Sequence, residues 1–159
     1  MDLSPPAPRP GATADVSVLA PLLDDFNSEF GAPTPGVAVL TTRLTALLAR
    51  PEVIALLAGE PAVGLALLTL RPNVWYEGPV ALLDELYVVP RERNRGIGST
   101  LLAAAERAVR ERGCELLEIN VDGQDLEARR FYERHGYSHT EPGQTEPMLY
   151  YARELGERT

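Results

Sequence analysis

Hydrophobic residues recur at helical spacing in two segments near the start of the chain. Between residues 15 and 30, and again between 37 and 49, they lie three or four positions apart. The intervening segment 31–36 is rich in glycine and proline, which end helices. We therefore predict one helix over 15–30 and a second over 37–49.

Short, nearly continuous apolar runs follow in the middle of the chain. The runs 53–58 and 62–70 are split by Gly59-Glu60-Pro61, so they predict a β-hairpin with both faces largely covered. A third apolar run at 80–89 predicts another strand, and the loop before it holds the only tryptophan, Trp75.

Strands and helices alternate in the second half, which predicts a layered α/β or α+β fold. The predicted elements are a helix from Ile97 to Arg112, a strand at 116–121, a helix from Asp125 to His135, a short strand beginning at Tyr137 and a last strand at 148–152. We expect one domain over 1–159, with 1–11 loose or forming a short first strand.

Composition narrows the classes of function. The formal net charge of −8 and pI near 4.8 argue against nucleic acid or an anionic membrane as partner. Cys114 is the only cysteine, so we expect no disulfide and a reducing cytoplasm. The apolar runs are too short to span a bilayer, and neither histidine belongs to a Cys/His cluster, so we expect no metal.

An arginine- and glycine-rich turn follows the strand at 80–89. Helix N-termini with converging N–H groups and nearby cations favour anions. Leu101 stands where a dinucleotide fingerprint needs its third glycine, and no Gly-Lys-Ser/Thr follows for a Walker loop. The residues of this predicted anion turn are Arg93, Asn94, Arg95, Gly96, Ile97, Gly98 and Ser99.

Two motifs in this order are similar to signatures of the GNAT superfamily of acetyl-CoA-dependent N-acetyltransferases. The first is Arg93-x-x-Gly96-x-Gly98, directly after a strand and before a helix. The second runs from Asp125 through Phe131-Tyr132 to Gly136-Tyr137, with Asp125 in place of the usual asparagine. The resemblance implies an α+β fold whose mixed, mostly antiparallel sheet is splayed at the cofactor site and flanked by about four helices.

The resemblance also implies how acetyl-CoA binds. The pantetheine arm would pair with the backbone of Leu86, Tyr87 and Val88. The pyrophosphate would lie over the N–H groups of the anion turn, with its arginines adding attraction. Asp125 takes the family's position for a cofactor contact, although an anion there is better explained as an N-cap.

The resemblance further implies the catalytic groups. An ammonium must lose a proton before it attacks a thioester, and Glu85 matches a family position for the base. Asp84, predicted to face the opposite side of the strand, and a water chain are the alternatives. Tyr132 matches the family's general acid, because a phenol stays protonated near neutral pH.

The acceptor is implied only by class. We expect a small-molecule primary amine, and the alternatives are a protein or peptide amine and a non-catalytic acyl-CoA-binding or sensor module. The resemblance places Phe26, Glu29, Phe30 and the loop at Pro33 to Pro35 beside the acceptor cleft. It also implies a homodimer through the C-terminal segment, for which Leu149, Tyr150 and Tyr151 are the candidate surface.

Overall fold

The computed structural model describes residues 3–157, in two compact units that divide after Ile119. The predicted looseness of Met1 and Asp2 concerns residues outside this range. Over residues 3–119, the first unit holds five strands, three helices and two short 3-10 turns. Its elements are β1 (Arg9–Pro10), α1 (Val16–Glu29), α2 (Val37–Leu48), β2 (Val53–Ala58), β3 (Gly64–Arg71), β4 (Val80–Val88), α3 (Ile97–Glu111) and β5 (Leu117–Ile119).

These strands form one mixed sheet in the order β1-β2-β3-β4-β5. The first three pairings are antiparallel, and only β4 and β5 run parallel, as a crossover through α3 requires. The predicted mixed, mostly antiparallel sheet is confirmed. The helices predicted over 15–30, 37–49 and 97–112 are also confirmed to within two residues at either end.

Helices α1 and α2 cover one face of the sheet. Leu19 and Leu44 lie in the same buried cluster as Leu57, Leu65 and Tyr87 from three neighbouring strands. These strand residues share a face because Leu57 pairs with Leu65 and Leu65 with Tyr87. Burying such side chains is the main source of the unit's stability.

Helix α3 packs on the opposite face, and Gly64 allows its close approach. A Cβ at Gly64 would lie 3.0 Å from Cδ1 of Leu101 and 3.2 Å from Cγ2 of Ile97. Both α3 residues are buried. The small residue at 64 therefore sets how closely the first turns of α3 approach β3.

The second unit contains α4 (Leu126–Arg134), which confirms the helix predicted after Asp125. The strands predicted at Tyr137 and at 148–152 are wrong. In the described part of this unit, the only β pairing is an isolated bridge between Thr140 and Pro147. Residues 148–151 are all apolar or aromatic, and Tyr150 and Tyr151 favour strands, but the four residues do not alternate in polarity and are exposed, so no buried face selects a strand there.

Among residues 3–157, none of the helices combines the length and apolarity needed to cross a membrane.

Candidate active site

Strands β4 and β5 part in the middle of β4. Their pairing ends at Leu83 and Ile119, yet β4 continues to Val88. Val89 donates its N–H to the carbonyl of Val63 on the β3 side, so the backbone groups of Val88 face the other way. No strand of the described chain pairs with this side of 84–88, which we call the open edge.

A β-bulge places Asp84 and Glu85 on the same face of the sheet. Glu85 pairs with Leu67, but Leu68 pairs with Leu83, which leaves Asp84 as the extra residue of β4. The Oγ1 of Thr69 donates a hydrogen bond to Oδ2 of Asp84, and Thr69 lies on the Leu67 face by strand alternation. The prediction that Asp84 faces away from Glu85 is therefore wrong, because the bulge interrupts the alternation.

Glu85 carries a strongly perturbed carboxyl group. Burial, and secondarily the neighbouring charge of Asp84, raise its pKa to about 6. Burial also raises the pKa of Asp84, partly offset by the hydrogen bond from Thr69. The Glu85 carboxylate makes no hydrogen bond or ion pair with any described residue, so its oxygens can accept a proton.

The predicted anion turn connects β4 to α3. A 3-10 turn at Pro90–Glu92 precedes it, and Asn94 and Gly96 take left-handed φ angles of 62° and 81°. The first backbone bond of α3 runs from Thr100 N–H to the Gly96 carbonyl. The N–H groups in the first turn of α3, which come before this bond, have no acceptor within the helix, and this arrangement suits a phosphate.

The two predicted cations of this turn are held by carboxylates. Arg93 donates from both terminal nitrogens to Glu29, at 2.7 and 2.8 Å, and from Nε to the Val88 carbonyl at 2.9 Å. Arg95 pairs with Glu92 at 3.0 Å and is far more exposed, at 65% of its side chain. The pairing of Arg93 with Glu29 was not predicted from the sequence.

Tyr87 lies buried beside this ion pair. Its Oη donates to Glu29 at 3.2 Å, its ring stacks on Phe26 at 4.8 Å, and Arg93 lies 5.6 Å from the ring centre. Burial first, and then the hydrogen bond to Glu29 and the Glu29 charge, raise the pKa of Tyr87. The Tyr87 hydroxyl therefore stays protonated, and its role is to donate the hydrogen bond to Glu29.

The second unit carries Tyr132 and Asp125. Asp125 is the N-cap of α4, where its carboxylate accepts the Ala128 N–H at 3.0 Å. The Tyr132 ring is half-buried and packs edge-on against Phe131 and Tyr137, with centroids 5.1 and 5.9 Å away. These contacts fix the ring plane of Tyr132.

Other residues considered from the sequence lie as follows. Trp75 is 87% exposed and does not contribute to the core. Phe30 packs edge-on against Phe26 at the end of α1. Cys114 is buried, and burial raises its thiol pKa, as expected for a small core residue and not for a nucleophile.

Known proteins resemble this chain in sequence. An uncharacterized N-acetyltransferase of Bacillus subtilis (strain 168) is 28% identical over 131 residues, covering 81% of this chain and 87% of that protein. The aminoalkylphosphonate N-acetyltransferase of Salmonella typhimurium is 38% identical over 84 residues, which cover 53% of this chain and 54% of that protein. An aminoglycoside N(6')-acetyltransferase type 1 of Klebsiella aerogenes is 43% identical over 75 residues, 45% of this chain and 49% of that protein.

Solved structures share the fold. A crystal structure from Arthrobacter sp. FB24, classed with the acetyltransferases, is 61% identical with a TM-score of 0.88, covering 94% of this chain and 96% of that one. AAC(6')-Iy in complex with a CoA-containing bisubstrate analogue has a TM-score of 0.74 at 18% identity, covering 93% and 97%. The model of the acetyltransferase (GNAT) family matches residues 19–137. This chain therefore belongs to the GNAT family of acyltransferases, whose cosubstrate is acetyl-CoA.

Proposed function

We propose that this protein is an N-acetyltransferase that moves the acetyl group of acetyl-CoA directly to a primary amine of a small molecule. The observation that carries the proposal is the carboxyl of Glu85. It lies half-buried on β4 beside the open edge, without a hydrogen-bonding partner among the described residues, and has a pKa of about 6. A carboxyl so placed is suited to accept a proton near neutral pH.

The first unit offers two features that fit acetyl-CoA. The open edge presents the backbone groups of Leu86 and the N–H of Val88, which can pair with the amides of a pantetheine arm, whereas the Val88 carbonyl already accepts from Arg93. The turn over 94–99 presents N–H groups at the start of α3 for a pyrophosphate. The cosubstrate supplies an acetyl group already activated as a thioester.

Glu85 acts as the base in this proposal. It takes a proton from the acceptor ammonium, directly or through water, so that the amine can attack. Asp84 lies on the same face and is held by Thr69, so it is the alternative base. The more buried position and unpartnered oxygens of Glu85 favour Glu85.

Tyr132 acts as the general acid. Its proposed role is to donate the phenolic proton to the sulfur that leaves as the new amide forms. The family signature around Phe131-Tyr132 supports this role, and so do the ring contacts that fix its orientation within the second unit. Asp125 remains a predicted cofactor contact, although its carboxylate already caps α4.

We further propose a cationic acceptor. Two of the relatives named above are, by their names, an aminoalkylphosphonate N-acetyltransferase and an aminoglycoside N(6')-acetyltransferase, and both kinds of acceptor are small molecules that carry amines. The two carboxylates on one face of β4 and the net charge of −8 favour a positively charged molecule. Aminoglycosides and polyamines are therefore the first acceptors to screen.

The test is a screen of amines that detects the free thiol of CoA. Small amines, aminoglycosides, amino acids and lysine peptides are compared with the wild-type protein and with Glu85→Gln. Thiol release with a small amine, lost in Glu85→Gln, supports the proposal. Thiol release only with lysine peptides would indicate a protein or peptide amine as acceptor. CoA binding without thiol release for any amine would indicate a non-catalytic binding module.

We also propose a homodimer and, because Cys114 is the only cysteine of the sequence, a cytoplasmic location. Tyr150 is 73% exposed, and its neighbours Leu149 and Tyr151 are exposed as well, which is a common property of association surfaces. Light scattering of the wild type and of Tyr150→Ser tests this: a dimer that the substitution converts to monomer supports the surface.

A further inference from the structure

The Arg93 side chain is held at each of its three nitrogens. Nε donates to the Val88 carbonyl, and the two terminal nitrogens donate to both oxygens of Glu29. The pair is partly shielded, with 31% of the Arg93 side chain and 28% of the Glu29 side chain exposed. A two-point arginine–carboxylate contact fixes orientation as well as distance.

Glu29 also receives a hydrogen bond from within the core. The Oη of buried Tyr87 donates to the same oxygen, Oε1, that accepts from Arg93. Arg93 lies over the Tyr87 ring, and Phe26 stacks on that ring. The ion pair is therefore anchored to packed aromatic side chains, which restrict its motion.

These contacts join three segments that are distant in sequence. Glu29 is the last residue of α1, Val88 is the last residue of β4, and Arg93 lies in the turn before α3. The carbonyl that Arg93 engages belongs to the open edge of β4. The contact thus couples the end of that edge to the start of the anion turn.

We propose that Glu29 and Arg93 are positioning residues for acyl-CoA, and that Arg93 is not itself a ligand of the pyrophosphate. Glu29 holds the Arg93 side chain against the Val88 carbonyl. This contact fixes the distance between the open edge and the anion turn. The inference rests on the proposed binding of acetyl-CoA at these two features. It assigns to Glu29, which the family resemblance places only beside the acceptor, a role toward the donor.

Calorimetry with CoA tests the proposal on the full chain. We expect Glu29→Gln to weaken CoA binding about tenfold, the loss typical of a charged hydrogen bond. Arg93→Lys should weaken it by a similar factor, because lysine keeps the charge but cannot make the three contacts. The double variant should lose no more CoA affinity than either single variant, because both substitutions break the same contact between Glu29 and Arg93.

The control is Glu52→Gln, which removes another carboxylate that is paired with an arginine, Arg50. Its CoA affinity should stay within about twofold of the wild type. Hydrogen exchange of the unliganded proteins provides a second measurement. The amides over 88–96 should exchange faster in Glu29→Gln than in Glu52→Gln, even if the two melt at similar temperatures.

Other results would overturn the proposal. If Arg93 binds the pyrophosphate directly, Glu29→Gln will bind CoA as well as or better than the wild type, and Arg93→Lys will retain most of its affinity. Unchanged exchange over 88–96 in Glu29→Gln would also contradict it. Wild-type protein without CoA affinity would instead refute the proposed function, whatever the exchange data show.

Discussion

Thr69 donates its hydroxyl hydrogen bond to the carboxylate of Asp84, the one residue of β4 that the bulge leaves without a partner in β3. The bond holds Asp84 on the same face of the sheet as Glu85. Two acidic side chains therefore lie next to each other where the alternation of a regular strand would separate them. Their mutual repulsion contributes to the raised pKa of Glu85.

Removing the Asp84 charge should shift the pH dependence of catalysis. In Asp84→Asn the repulsion is lost, so the pKa of Glu85 falls and the base stays ionised at lower pH. The acidic limb of the kcat/KM profile should move down by less than about one pH unit, because burial is the larger cause of the raised pKa. An acidic limb that moves upward or stays in place would contradict the coupling of the two carboxyls.

Glu85→Gln should slow acetyl transfer by about 100-fold or more, the contribution typical of a general base. The loss should be greatest at low pH, where the acceptor amine is most fully protonated. CoA affinity should change little, since the substitution leaves the backbone of β4 in place. If the profile of the variant keeps the acidic limb of the wild type, the base is another group.

The same substitution should stabilise the folded protein at neutral pH. The raised pKa means that folding disfavours the ionised carboxylate of Glu85, so the penalty is present above pH 6 and vanishes below about pH 4.5. Allowing for partial exposure, Glu85→Gln should gain about 1 kcal/mol in free energy of unfolding at pH 7.5. Urea denaturation at pH 7.5 and 4.5 measures both values, and an equal gain at the two pH values would exclude this cause.

Tyr132→Phe should lower kcat by about tenfold to 100-fold, because the phenolic proton is lost while the ring contacts remain. CoA binding, measured by calorimetry, should be nearly unchanged. Tyr137→Phe is the matched control, since it removes a neighbouring hydroxyl from the ring that packs on Tyr132. Equal losses in the two variants would point to packing and not to proton donation.

Gly78→Ala should destabilise the fold by about 3 kcal/mol or more. A Cβ at this position would lie 2.0 Å from the backbone carbonyl oxygen of Gly113, and backbone cannot move aside as a flexible side chain can. Thermal unfolding of Gly123→Ala provides the comparison, because a Cβ there meets nothing within 4 Å. Similar melting temperatures for the two variants would show that the loop before β4 relaxes freely.

Local patterns in the sequence predict most of the first unit. Helical periodicity located α1, α2 and α3, and the motif Arg93-x-x-Gly96-x-Gly98 located the turn that starts α3. These features depend on residues close together in the chain, so they can be read from sequence.

The features that shape the site depend on distant residues. The bulge at Asp84 follows from how β3 pairs with β4, and neither strand marks it in its residue pattern. Glu29 and Arg93 are 64 positions apart, so their ion pair requires the fold to bring them together. The strand predicted at 148–152 was wrong because a strand also needs a neighbouring strand to pair with, and β-propensity does not supply one.

The open edge of β4 affects how readily the protein aggregates when no acyl donor is bound. A bare strand edge pairs readily with edges of other chains, which is a common start of aggregation. A pantetheine arm along 84–88 would cover that edge as a neighbouring strand does. The bound acyl donor would then also block pairing of this edge with other chains. CoA would therefore suppress aggregation of the concentrated protein even when no acceptor is present.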